Sequence, residues 1–331
     1  MTIRIYNNKI EFDDGSNVYT LSETTRGFTF TGNFASPGWV TSSPINGINF
    51  GFTSGGAPSG GNQVNIIDRF PFASNANATD YGDLTLARYM TAGQSSSTDG
   101  YTAGGYNPSL SPVLTNVIDK FPFASAANAS DVGDLTASRG DVTGQSSSTH
   151  GFTSGSVPVS NVIDRFPFAT NANATDYGDL TVGRSGTAGQ SSTSDGYNSG
   201  GSPDSNVIDK FPFAYAANAT DVGDITVARY YCSGQSSTVS GYSSAGQNSS
   251  ATVFNTIDKF PFATNASATD VGDATVARNY TAGVSSSTNG YIIGGIPASN
   301  VIDSFPFASN ANASDVGDLT ASRGSAAGQQ D

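Results

Sequence analysis

Apolar residues along this chain come in short bursts bounded by Gly, Asn and Asp, and the bursts repeat. The phrase Ile-Asp-x-Phe-Pro-Phe-Ala occurs six times, with its Asp at positions 68, 119, 164, 209, 258 and 303 and successive spacings of 51, 45, 45, 49 and 45. Four segments recur in fixed order around it: a small-residue run such as Thr91–Ser96, an aromatic-led run ending in glycines such as Gly100–Gly105, then Asn116–Phe123, then Asp131–Arg139. Each is short, rich in β-formers and closed by turn residues, so each reads as one strand. In the third segment, period-2 alternation places Val117, Asp119, Phe121 and Phe123 on one face. The two Phe are placed to fill the gap between neighbouring repeats. The first segment, built from Ala, Gly and Ser, suits the place where repeats converge and bulky side chains do not fit.

Four strands per unit of about 45 residues, six times over, predict an all-β fold, a six-bladed β-propeller of four-stranded blades. The chain enters at a second strand, Gly51–Gly56, and Gly324–Gln329 matches a first strand. The C-terminal segment is therefore expected to complete blade one and close the ring, which removes open sheet edges. Residues 27–34 are the rival for that place, because Thr25-Arg26-Gly27 echoes Ser138-Arg139-Gly140. Residues 1–45 lie outside the repeat and residues 46–331 within it. Arg4–Tyr6 and Lys9–Phe12, with Asn7-Asn8 between, predict a hairpin in a small separate N-terminal β module.

The Gly-Gly that closes the second segment, the Asp in the third and the Arg that ends the fourth fall in the order of the kelch repeat, which this unit resembles over roughly residues 46–331. The Trp of the kelch fourth strand is absent, and Leu84, Leu135 or Ile225 is placed to stand for it. The resemblance implies a fold and leaves function open.

Composition narrows the function classes. Only 12% of residues are charged, and Glu occurs just twice, as Glu11 and Glu23. The net charge of −13 repels phosphate backbones, and no Lys/Arg cluster stands out, so no nucleic-acid partner is expected. No apolar run is long enough to cross a bilayer, and residues 1–8 carry no signal-peptide core, so membrane insertion is not expected and synthesis in a cytoplasm is.

Catalysis finds little support. Copper-radical chemistry of the kind some kelch propellers carry needs two His and a Tyr–Cys crosslink, and this chain has one His, His150, and one Cys, Cys232. Glycoside hydrolysis needs a pair of carboxylates, whereas the repeats lack Glu and most of their Asp recur in every blade. Asp141 and Asp204, not shared by every blade, remain the candidates for a carbohydrate-active enzyme, the weakest alternative. Arg88, Arg139, Arg184, Arg229, Arg278 and Arg323 recur by symmetry and read as inter-blade ties to nearby Asp. No cofactor is expected. The alternative is Ca²⁺ held by the Asp-rich corner, with Asp80 and Asp83 as oxygen ligands, against the simpler reading that Asn and Asp cap a turn there. Asn-Ala-Thr/Ser sequons at Asn77, Asn128, Asn173, Asn218, Asn265 and Asn312 read as turn composition.

The copies differ in two places. From the second Gly of the Gly-Gly position to the Asn before strand three, the separations are 9, 11, 5, 5, 9 and 5. The pair after each Arg also varies: Tyr89-Met90, Gly140-Asp141, Ser185-Gly186, Tyr230-Tyr231 and Asn279-Tyr280. In a propeller these two connections open on one face, and diversity on one face of a repeated scaffold marks a binding surface, or else loops that are merely tolerated. Tyr89, Tyr106, Asn107, Leu110, Tyr230, Tyr231, Phe254 and Tyr280 are the candidate ligand contacts. The acidic, Ser/Thr/Gly/Asn-rich, cysteine-poor composition is similar to that of fibre or appendage proteins of marine bacteriophages. That resemblance implies a virion component, assembled in a host cytoplasm. Residues 1–45 would then join other virion proteins or further copies of the chain, and the variable face would meet a host-surface glycan or protein. A cytoplasmic kelch-type adaptor gripping a partner protein is the alternative.

Overall fold

A computed structural model describes residues 2–6, 9–13, 18–24 and 27–31 as strands, and residues 47–58, 62–297 and 299–331 throughout. The chain divides into two compact units, Met1–Thr41 and Ser42–Asp331. The boundary expected at residues 45 and 46 and the Asn7-Asn8 turn lie outside the described residues.

In the first unit Thr2–Tyr6 pairs with Lys9–Asp13, with Tyr6 opposite Lys9. The predicted hairpin is thus the start of a four-stranded antiparallel meander, continued by Val18–Thr24 and Gly27–Thr31. Gly27–Thr31 pairs with Val18–Thr24, so that stretch does not supply the closing strand of the repeat array.

The second unit is the six-bladed propeller, each blade a four-stranded antiparallel sheet. Blade one is closed by Ala327–Gln330, which pairs with Phe50–Ser54 and sets Ala327 opposite Ser54 and Gln330 opposite Gly51. Ile66–Pro71 and Thr79–Asp83 complete that blade. The innermost strands of the next five blades are Ala92–Ser95, Thr143–Ser146, Ala188–Ser191, Ser233–Ser236 and Ala282–Ser285.

The six innermost strands converge on glycine. A Cβ at Gly93 would overlap the carbonyl oxygen of Gly328, one at Gly144 that of Gly93, and so on through Gly189, Gly234, Gly283 and Gly328 around a closed ring. At the end of these strands a second ring forms. The amides of Ser95, Ser146, Ser191 and Ser236 each donate to the next Ser hydroxyl, Ser285 donates to Gln330 Oε1, and Gln330 returns to Ser95, all at 2.9–3.2 Å.

Outward from the axis the wedge between blades widens and the side chains grow. The second Phe of each Phe-Pro-Phe stacks on the second-strand aromatic of the preceding blade, as Phe123 does on Phe52 and Phe168 on Tyr101, with centroids 4.8–5.0 Å apart in all six seams. Six separate apolar clusters result, one per seam, each drawing residues from two blades. Period-2 alternation on the third strand holds: Asp119, Phe121 and Phe123 face blade one, and Ile118 faces blade three. A bulge against the fourth strand falls between Ile118 and Asp119, and between the equivalent residues of every blade; both are buried, Ile118 in the seam with the following blade and Asp119 in the seam with the preceding one.

That Asp meets the Arg that follows the preceding blade. Arg88–Asp119, Arg139–Asp164, Arg184–Asp209, Arg229–Asp258, Arg278–Asp303 and Arg323–Asp68 pair at 2.5–3.1 Å with nearly no exposure. Each carboxylate also accepts the amide and hydroxyl of a Thr from the preceding blade, Thr85 in the case of Asp119. Burial pulls the Arg88 guanidinium below its ordinary value, and the Asp119 charge opposes that shift. Removing one partner of such a pair strands a buried charge. Asp209→Ala should therefore cost about 3–5 kcal/mol in denaturant unfolding. Asp99→Ala, whose partner Lys120 is 28% exposed at 3.5 Å, should cost under about 1 kcal/mol.

A candidate ligand face around the propeller axis

Three residues separate each seam Arg from the innermost strand that follows it. The first pairs with the connection between the second and third strands, in the bridges Tyr89–Tyr106, Gly140–Val157, Ser185–Ser202, Tyr230–Gln247, Asn279–Ile296 and Gly324–Ala57. The two variable connections are thus joined backbone to backbone on one face. The second residue is Met90, Asp141, Gly186, Tyr231, Tyr280 or Ser325, and every one is left-handed, with φ between 53° and 60°. Their amides close a third ring around the axis. Met90 donates to Ser325 O, Asp141 to Met90 O, Gly186 to Asp141 O, Tyr231 to Gly186 O, Tyr280 to Tyr231 O and Ser325 to Tyr280 O, at 2.7–3.2 Å. Backbone is sixfold here and side chains are not.

The candidate residues separate into two groups. Over blades one and two, Tyr89 and Tyr106 meet edge to face at 5.3 Å, and burial raises the Tyr89 phenol. Asn107 is 4% exposed and its amide is committed: Nδ2 donates to Ala87 O, and Oδ1 accepts from Ser109 N and Gln63 Nε2. Leu110 is half-buried in the same turn, its amide donating to Asn107 O. Over blades five and six, Tyr231 and Tyr280 stack at 3.7 Å and 22°, and Tyr230 meets Tyr231 edge-on at 4.6 Å. Burial raises the Tyr280 phenol, and its hydrogen bond to the Tyr231 hydroxyl raises it further. Phe254 is half-buried, and its carbonyl accepts the Arg278 amide at 3.3 Å. Gly186 is where it is because a Cβ there would stand 2.7 Å from the Tyr231 ring.

Asp141 shares the αL ring with the second group and is 7% exposed. Ser185 bonds its carboxyl, Oδ2 has no partner, and burial pushes its pKa up to about 6. Asp141, Tyr231, Tyr280 and Met90 line a cavity of ≈ 70 Å³ with Thr91 and Thr281, whose hydroxyl oxygens are also buried without partners. Asp204 stands elsewhere in the network: its carboxylate ties the blade-four loop to blade five through the amide and hydroxyl of Ser249.

The Asp-rich corner is used for capping. Asp131, Asp221, Asp270 and Asp315 each accept the amide two residues on, at a following glycine. The Asn of the corner reaches across the seam instead. Asn128 accepts from Asp83 N, Asn173 from Asp134 N, Asn218 from Asp179 N, Asn312 from Asp273 N and Asn77 from Asp318 N, each at 3.1 Å. In blade five Ser267 takes this place, so the sequon at Asn265 is out of register with the others. Among the described residues no group of three His, Cys, Asp or Glu comes together as a metal site. His150 opens a strand rather than sitting in the turn before it, and desolvation lowers its pKa.

Sequence reasoning missed Thr91, Thr281, Met90 and Ser325 as members of the axial cavity. The first two read as strand residues, and the other two show their role only through backbone conformation. It also passed over Val157 and Val159 in the blade-three connection, 43% and 62% exposed, a short apolar run in a loop that composition alone could have flagged. Among the described residues no helix is long and apolar enough to cross a membrane. No protein-family model matches this chain, and no curated protein does.

Two outcomes follow. Left-handed backbone costs a non-glycine residue about 1 kcal/mol, and the Ser325 side chain gives little packing in return. Ser325→Gly should therefore raise unfolding stability by about that amount. Because burial raises the folded-state pKa of Asp141 above its unfolded value, its penalty is absent below about pH 4, grows as pH rises to about 6 and is constant above. Asp141→Asn should match the parent at pH 4 and exceed it at pH 8 by up to about 3 kcal/mol, read from denaturant midpoints across that range.

Proposed function

We propose that this chain is a non-enzymatic binding and display module, a fibre or appendage component of a virion. It meets a host-surface glycan or protein through the face that carries the two variable connections, and residues 1–45 serve for attachment or self-association. The observation that supports the reading is the confinement of side-chain and loop-length diversity to two connections bridged to each other, on a scaffold otherwise repeated sixfold. The half-buried tyrosines among them, Tyr89, Tyr106, Tyr230 and Tyr231, offer the rigid amphipathic area that sugars and proteins stack on. The kelch-like order of Gly-Gly, Asp and Arg fits a binding scaffold equally well.

Exposed Val157 and Val159 favour a second reading, a kelch-type adaptor whose partner is a protein. The two separate on an array of bacterial surface polysaccharides probed with the full chain and with Tyr89→Ala/Tyr230→Ala. Retention of the parent and at least a tenfold loss in the variant supports glycan attachment. Silence on the array, with hydrolysis products absent as well, turns the search to protein partners. Released sugar that disappears on Asp141→Asn or Asp204→Asn would overturn the non-enzymatic reading. Light scattering on the full chain and on residues 46–331 tests the role of the N-terminal unit. An oligomer that becomes a folded monomer on truncation is the expected result.

A further inference from the structure

The cavity at the start of the innermost strands is chemically lopsided. Three of its buried oxygens, Asp141 Oδ2, Thr91 Oγ1 and Thr281 Oγ1, have no hydrogen-bond partner. Leaving such groups unsatisfied forgoes the hydrogen bonds they would make with water and works against the fold. One of them carries a negative charge, on a residue also held in left-handed backbone. No Lys or Arg is among the residues that line the cavity. Equivalent positions in other blades show that the fold does not require this. Gly186 and Ser325 fill the place of Asp141, and Val142 and Ala326 fill the place of Thr91 and Thr281. The acceptors are therefore a property of these particular blades: Asp141 and Thr91 lie across the ring from Tyr280 and Tyr231, and Thr281 directly follows Tyr280.

Unsatisfied acceptors with one negative charge, beside aromatic rings and a thioether, suit a group that brings positive charge and several N–H donors on a slim apolar stem. An anion is repelled, and a neutral hydroxyl leaves the carboxylate uncompensated. A quaternary ammonium brings charge without donors.

We propose that the axial cavity binds a primary ammonium group through Asp141, Thr91 and Thr281, with Tyr231 and Tyr280 as its aromatic wall. A lysine side chain and an amino sugar present the same chemistry. The inference does not rest on the attachment reading: a chain that holds ammonium yet ignores cell-surface polysaccharides would overturn only the latter.

The full chain is titrated at pH 7.5 by calorimetry with n-butylammonium, with 1-butanol, tetramethylammonium and potassium as controls. Saturable binding of butylammonium, at least tenfold tighter than each control, is the expected result. Asp141→Asn should weaken it at least tenfold, and Thr91→Val/Thr281→Val several-fold. The Asn variant is expected to be at least as stable as the parent, so its loss of binding cannot be assigned to unfolding, and near-ultraviolet circular dichroism checks the Val pair. Nα-acetyl-lysine-N-methylamide and glucosamine then distinguish the sources, the tighter of the two naming the class. Equal response to butylammonium and butanol, displacement by potassium at equal concentration, unchanged binding in Asp141→Asn, or no saturable heat at all would each overturn the proposal, the last by leaving those oxygens to solvent.

Discussion

Everything in the propeller is arranged around how closely six strands approach one axis. At the narrowest level each glycine lies against the carbonyl of the glycine in the preceding blade, so that a single methyl group on any of the six would collide with backbone. The Ser ring below and the αL ring above keep six strands at that spacing by closed circuits of hydrogen bonds. Since the blades touch at the centre without side chains, the space between them must open outward, and residue size follows the distance from the axis. Gly and Ala lie innermost, the second-strand aromatics further out, and the Phe-Pro-Phe pairs at the wide part of the wedge. The core is thereby divided into six inter-blade seams rather than gathered in one place.

Cohesion between blades is polar as well as apolar, and it does not depend on the terminal strand alone. The last seam is bridged by Arg323–Asp68, by Thr320 on the same carboxylate and by Asn77 accepting from Asp318 N, besides the pairing of Ala327–Gln330. One relay breaks symmetry. Gln94, Gln145, Gln190, Gln235 and Gln329 each donate from an innermost strand to a second-strand carbonyl of the next blade, Phe152 O in the case of Gln94. At the same position blade six carries Val284, packed with Ile293, Ile302 and Phe70. There an apolar contact replaces the amide in the seam between blades six and one.

Much of this was legible in the sequence because repetition multiplies weak signals. One strand of four residues such as Ala92–Ser95 is ambiguous alone, but six copies in fixed order leave one architecture. The choice of Ala327–Gln330 over residues 27–34 as the closing strand followed from its Ala-Gly-Gln pattern, the pattern of a first strand. What the sequence hid was conformation. Nothing in Tyr-Met, Gly-Asp or Asn-Tyr announces a shared left-handed residue, because five of the six side chains there are not glycine. The bulge against the fourth strand is likewise invisible to a period-2 count. Loop composition could not distinguish Asn107, spent on its own turn, from Asp141, left with an open acceptor.

The αL ring separates what the fold needs at a position from what the position displays. Its hydrogen bonds run through main-chain atoms only, and methionine, aspartate, glycine, tyrosine and serine all occupy it with nearly the same φ. Point mutation at these six codons can therefore rewrite the chemistry at the axis one slot at a time while the architecture stays fixed. The ring works as a combinatorial register on which an evolving lineage can change the side chains at the axis without first having to relearn how to fold.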